Sequence, residues 1–162
     1  MDIICTTETW CTEEVIALPK EFEEYGTILS PAIKEKSLGR PSGGLAILYK
    51  KYIQIEVIEV NNLWILTEVQ LDEMHFLLMV NYWKPNSDID FCVEILNDTL
   101  NEMCEKYPNH TWIVGGDFNG RVGILNQYEQ ETLSANINPQ RTTRDNIMNS
   151  RGKKLIGQQE II

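Results

Sequence analysis

The chain has 162 residues, 43% apolar and 23% charged, with a formal net charge of −10, which suits one domain with its own core and excludes a disordered tail. No apolar run reaches membrane-span length, and Met1-Asp2-Ile3-Ile4 lacks the basic start and long apolar stretch of a signal peptide, so an intracellular protein, nuclear or cytoplasmic and with no membrane partner, is expected. A protein that grips nucleic acid usually shows a basic face; at −10 either the substrate is small, or basic surface is gathered elsewhere, or nucleic acid is bound poorly.

Residues 2–5 read as the end of a buried strand, followed by the polar exit Thr6-Thr7-Glu8-Thr9-Trp10 with an acid in it. Residues 12–16 can open a short helix capped by Thr12 and stopped by Pro19. Residues 37–44 form a loop rich in Gly, Ser and Pro that feeds a β-rich run at 45–49, and 53–60 alternates as a strand. Runs at 63–71 and 76–83 flank Asp72-Glu73-Met74-His75 as an antiparallel hairpin. Ser87 or Asp88 caps the strongest helix, in which Val93, Leu96, Leu100, Met103 and Tyr107 recur at spacings of three and four until Pro108. A strand at 111–114 follows, then a polar surface loop at 126–140 and the start of an amphipathic helix at 153–162. Hairpin strands with a helix between two of them predict an α/β sandwich of mixed sheets, unfinished at both ends.

Four cysteines give no disulfide or zinc pattern: Cys92 and Cys104 fall on one helix, too far apart to bridge, and Cys5 and Cys11 lack ligand spacing. All four are expected to pack as small apolar residues.

The most informative stretch is Trp112-Ile113-Val114-Gly115-Gly116-Asp117-Phe118-Asn119-Gly120-Arg121, an apolar strand running into two glycines, a carboxylate and an amide. Gly115 and Gly116 can bring backbone close to a phosphate or a metal-bound water. Asp117 and Asn119, at i and i+2, face the same way on an extended chain; a carboxylate can ligate a hard cation or orient water, and an amide can donate to an anionic oxygen. The competing reading is a plain hairpin, since Asn119-Gly120 is a type I′ turn signal. A calcium loop is excluded because Arg121 and Val122 stand where that loop needs an oxygen ligand and a glycine.

Three signals stand in order: Glu8-Thr9-Trp10 after a first strand, Pro85-Asn86 after the hairpin, and Gly116-Asp117-Phe118-Asn119 after the helix. Their order resembles the endonuclease/exonuclease/phosphatase superfamily. Ser42-Gly43-Gly44-Leu45-Ala46-Ile47, and Arg144-Asp145 followed by Asn149-Ser150-Arg151-Gly152-Lys153-Lys154-Leu155, look like the endonuclease domains of insect-type non-LTR retrotransposons. The resemblance covers nearly the whole chain. It implies a partial four-layer α/β sandwich of mixed, mainly antiparallel sheets flanked by helices, with residues 1–162 as one incomplete domain lacking its first strand and its C-terminal strands.

The same resemblance implies that Glu8 holds Mg²⁺, with Mn²⁺ as a substitute, that Asp117 aligns or activates the attacking water, and that Asn119 steadies a phosphorane-like transition state. Asn86 and the position of Trp83 would contact the scissile phosphate. The family carries tyrosine at that second position; an indole donates one hydrogen bond but accepts no proton. Tyr82 would substitute only through a strand bulge, because alternation otherwise sends it to the opposite face. The family's general acid/base histidine, paired with an aspartate, has no counterpart: His75 reads as a hairpin-turn residue and His110 as a loop residue, both solvated. The implied function is a Mg²⁺-dependent, endonuclease-like phosphodiester hydrolase of retroelement origin acting on DNA, weak or inactive. The alternatives are a non-catalytic remnant of that domain, or a small-molecule or lipid phosphodiesterase of the same superfamily.

Overall fold

In a computed structural model of the chain, residues 1–13, 18–34, 38–123 and 146–157 are described. They form β1 (Ile3–Thr7), a 3-10 turn (Lys20–Phe22), β2 (Tyr25–Ser30), β3 (Leu45–Lys50), β4 (Gln54–Val60), β5 (Trp64–Leu71), β6 (Met74–Tyr82), α1 (Ile89–Lys106), β7 (Thr111–Asp117) and α2 (Ser150–Gly157). One sheet has the order β1-β3-β2 and is antiparallel; the other has the order β4-β5-β6-β7 and is antiparallel except for β6 and β7. That parallel pair is joined through α1, because parallel neighbours need a crossover rather than a tight turn.

Strand alternation sorts the apolar residues of β5 and β6 into two cores. Trp64, Leu66, Leu77, Met79 and Trp83 face α1, which presents Cys92, Leu96, Leu100 and Met103. Ile65, Val69, Leu78, Val80 and Tyr82 face the three-stranded sheet and meet Leu45 and Ile47. Burial on both faces explains why β6 reads as a nearly unbroken apolar run. Among the described residues the layers are therefore sheet, sheet and helix, an α/β sandwich as expected.

Asp88 caps α1, its carboxylate accepting from the backbone N–H of Asp90 and Phe91 at 3.0 and 3.4 Å. Other boundaries differ from the sequence reading. β2 was not anticipated. β6 starts at Met74, so Asp72 and Glu73 alone make the turn, Asp72 at φ 55, and His75 is a strand residue. β7 runs on through Gly115 and Gly116 to Asp117, and α2 begins at Ser150. The short helix expected at 12–16 falls partly, and the loop at 126–140 wholly, outside the described residues, as does the chain after residue 157. All four cysteines are free, and only Cys92 is buried; Cys5 and Cys104 are exposed, so the expected packing role holds for the Cys92 thiol on the sheet-facing side of α1 and not for those two. Among the described residues, no helix is long and apolar enough to cross a membrane.

Candidate active site at the strand exits

β1 packs beside β6 and β7, so the exits of all three strands lie together. The β1 exit is held open by backbone strain: Glu8 and Trp10 sit at φ 54 and 55, a region that non-glycine residues rarely enter. Main-chain bonds from Thr9 to Gly44 (3.2 Å) and from Trp10 to Gly43 (3.0 Å) impose that conformation. At Gly44, with φ +91, a Cβ would collide with the Thr9 hydroxyl. The glycine loop at 42–44 thus supports the Glu8 loop, and the Arg40 guanidinium closes it from outside, 4.3 Å from the Trp10 ring centre.

At the β7 exit, Asp117 stands opposite Tyr82 in the parallel register, and Trp83 N–H donates to the Asp117 carbonyl at 2.9 Å. Gly116 has φ +133, and a Cβ there would drive into the Asn81 backbone, 2.7 Å from its nitrogen. Gly116 is thus needed for close pairing with β6, whereas a Cβ at Gly115 would meet open space. Asp117 Oδ1 accepts from the Asn119 N–H at 2.8 Å, and Asn119 Nδ2 donates to the Trp83 carbonyl at 2.8 Å while lying 3.4 Å from Asp117 Oδ2. Asn119 takes φ 51 but Gly120 stays outside the positive-φ region, so the type I′ hairpin turn does not form.

Tyr82, rather than Trp83, reaches the site. β6 keeps regular register through Asn81 against β5 and through Tyr82 against β7, without a bulge, so the side chains of Tyr82 and Trp83 point to opposite faces as alternation requires. The face that meets Glu8 is the Tyr82 face: its hydroxyl donates to Glu8 Oε1 at 2.6 Å. Burial raises the Tyr82 pKa well above the ordinary tyrosine value, and the bond to Glu8 and the negative charges of Glu8 and Asp117 push the same way. Trp83 is 0% exposed, its ring 5.0 Å from that of Phe118 in an edge-on contact, with Nε1 buried and unpartnered among the described residues. The phosphate contact expected of Trp83 has no surface to work from, because strand parity commits the indole to the helix-side core.

Beside Asp117 and Asn119 opens a cleft of about 690 Å³, also lined by Asn86, Arg121, Asn149 and Arg151. Arg151, only 7% exposed, donates through Nη2 to the Pro85 and Ser87 carbonyls at 3.1 and 2.7 Å and so pins the turn that carries Asn86. Asn149 Oδ1 accepts from the N–H groups of Gly152 (2.7 Å) and Arg121 (3.1 Å), and Nδ2 donates to the Asn119 carbonyl at 3.3 Å. The start of α2 is thereby tied to the Asp117–Asn119 loop. Tyr82 was expected at the site only through a bulge and reaches it without one, because its face of β6 is the one that meets Glu8; Asn149 and Arg151 had no individual site role assigned from sequence, although Asn149 three positions before Gly152 is a helix-cap spacing.

Glu8, Asp117, Asn119 and Asn86 are brought to one end of the molecule. Glu8 is exposed with one oxygen oriented by Tyr82, and its carboxylate and that of Asp117 offer the oxygen donors that a hard divalent cation takes. The two histidines are at the other end. His75 and Tyr82 are seven residues apart on β6, about 23 Å at strand rise. His110 is not a solvated loop residue as expected but half-buried, with Nε2 3.0 Å from Glu68 Oε1.

No family model and no curated protein matches this sequence. Among solved structures, the chain is similar to the endonuclease domain of TRAS1, a telomere-specific non-LTR retrotransposon, at 16% identity and a TM-score of 0.58. The match covers 98% of this chain and 57% of that one, so the chain spans little more than half the length of the solved domain. With the two sheets, the crossover helix and the strand exits in place, the chain shares the fold of that part of the TRAS1 endonuclease domain which the match covers.

Proposed function

We propose that this chain is a Mg²⁺-dependent, endonuclease-like phosphodiester hydrolase domain of retroelement origin, acting slowly on DNA. The observation that carries the reading is the convergence of Glu8, Tyr82, Asp117 and Asn119 at three adjacent strand exits, in a fold shared with an endonuclease domain. A bound Mg²⁺ would polarise a phosphoryl oxygen and neutralise charge that develops on it. Glu8 would hold it, oriented by the Tyr82 hydroxyl. Asp117, itself fixed by Asn119, orients the attacking water. The Asn119 amide keeps its 2.8 Å bond to the Trp83 carbonyl, and its 3.4 Å contact to Asp117 is the one a phosphoryl oxygen would take over. Asn86 at the cleft rim contacts a phosphate, while Arg121 and Arg151 set local positive charge in a chain of net −10.

Neither imidazole of the chain lies at Asp117, so the 10²- to 10⁴-fold assistance typical of a general base is lost, roughly, and turnover is slow. The purified chain with Mg²⁺ is expected to nick supercoiled plasmid at a trace rate that EDTA and Asp117→Ala both remove. Nicking that survives Asp117→Ala, or none at all, overturns the enzymatic reading. The far placement of both histidines favours a second reading, a non-catalytic remnant that keeps cation and phosphate contacts; DNA binding without any nicking would select it. Hydrolysis of a small phosphodiester with plasmid left intact would instead select a small-molecule or lipid phosphodiesterase.

A further inference from the structure

The end of the sandwich opposite the strand exits gathers three ligating side chains that the phosphodiester site does not use. Glu68 comes from β5, His75 from β6 and His110 from the turn that leads from α1 into β7. In the antiparallel register Glu68 pairs with Leu77 and Gln70 with His75, so Glu68 and His75 are diagonal neighbours on the helix-side face. The end of α1 brings His110 to them: its N–H donates to the Tyr107 carbonyl at 3.1 Å, and its ring stands edge-on to Tyr107 and His75 at 5.0 and 6.0 Å.

One donor atom from each residue lies within 4.8 Å of the other two. Glu68 Oε1 is 3.0 Å from His110 Nε2 and 4.0 Å from His75 Nδ1. Ligand atoms around a tetrahedral ion with bonds of 2.0–2.1 Å are about 3.4 Å apart, so side-chain shifts of roughly 1 Å close the set. Two paired strands and a hydrogen-bonded turn already hold the backbones. Two imidazole nitrogens with one carboxylate suit Zn²⁺ and its neighbours, whereas Mg²⁺ and Ca²⁺ take oxygen ligands. Three protein ligands leave a fourth position open, and both histidines line an apolar cleft of about 810 Å³ with Leu71, Met74, Phe76 and Ile113.

We propose that Glu68, His75 and His110 bind a transition-metal ion of the Zn²⁺ class, clamping the β5–β6 hairpin to the α1–β7 turn. The site is independent of the phosphodiester reading and shares no residue with it. The test uses the full chain stripped with EDTA and titrated with Co²⁺ and then Zn²⁺. The expected result is one equivalent bound, a visible absorption band typical of tetrahedral Co²⁺, its loss on adding Zn²⁺, and no competition from a hundredfold excess of Mg²⁺. Tm should rise by roughly 5–10 °C at a hundredfold excess of Zn²⁺ over Kd. His75→Ala, His110→Ala and Glu68→Gln, each checked for native circular dichroism, should weaken binding at least tenfold. Should a variant fail to fold, shifts of the wild-type imidazole nitrogen resonances on adding Zn²⁺ give the same readout. Absence of binding, binding unchanged in folded histidine variants, unmoved imidazole resonances, or a thiolate-to-cobalt charge-transfer band would overturn the proposal.

Discussion

Tyr82→Phe tests the assignment of Tyr82 to the site and of Trp83 to the core. The substitution removes one hydroxyl and keeps the ring that packs between the sheets, where Tyr82 is 2% exposed. What is lost is the 2.6 Å bond to Glu8 Oε1. Hydrogen bonds to charged groups contribute about 1.5–3 kcal/mol, but Glu8 is exposed and its carboxylate can return to water, so the cost falls at or below the low end, about 1–1.5 kcal/mol. For a domain of this size that lowers Tm by roughly 3–5 °C. Because the folded pKa of Tyr82 is raised, its contribution is fully present below the ordinary tyrosine value of about 10 and is lost as pH climbs through the folded value. The difference between wild type and Tyr82→Phe should therefore be flat from pH 6 to about 9 and shrink only above about pH 10. Freeing the Glu8 rotamer should also weaken divalent-cation binding by roughly 2- to 10-fold, the cost of re-ordering one side chain. Trp83→Phe is the counterpart: among the described residues its Nε1 has no partner to lose, so it should cost roughly 1–3 kcal/mol through the vacated volume and leave cation affinity unchanged. Urea denaturation across pH and Mn²⁺ titration by water-proton relaxation read both quantities. Cation affinity that falls in Trp83→Phe but not in Tyr82→Phe would refute the reasoning.

Gly116→Ala should destabilise by about 4 kcal/mol or more, since φ +133 and a Cβ driven into the Asn81 backbone leave the β6–β7 pairing no way to adjust; a drop of under 1 kcal/mol by urea denaturation would contradict the reason given for that glycine. Cys92, buried in the helix-side core with its thiol pKa raised chiefly by burial, should react with a thiol reagent only as fast as the protein opens, while exposed Cys104 reacts at once; mass-mapped labelling that modifies both at similar rates would argue against the packing of α1.

Much of the architecture was legible because strand and helix periods are local. The 3.6-residue spacing from Val93 to Tyr107 located α1, and apolar runs located β3 to β6 to within a few residues. β2, Tyr25–Ser30, is not legible in the sequence because its pattern is short, carries a glycine and pairs only with β3, a partner that local sequence does not announce. Glu8, Asp117, Asn119 and Asn86, the residues the resemblance singled out, lie at one end of the fold.

Sequence by itself determined which side chains alternate: Tyr82 and Trp83 had to point to opposite faces of β6, and Asp117 and Asn119 had to follow the strand that enters from α1. Only tertiary structure decided which face was which. Whether Tyr82 or Trp83 met Glu8 depended on the side of the β4–β7 sheet that the β1–β3 sheet covers, a contact between residues 74 positions apart. The same holds for Gly116, whose need is set by Asn81 across the pair, and for Glu68, His75 and His110, three elements whose donors converge only when β5, β6 and β7 align. Periodicity is written along the chain, but packing partners are chosen in space.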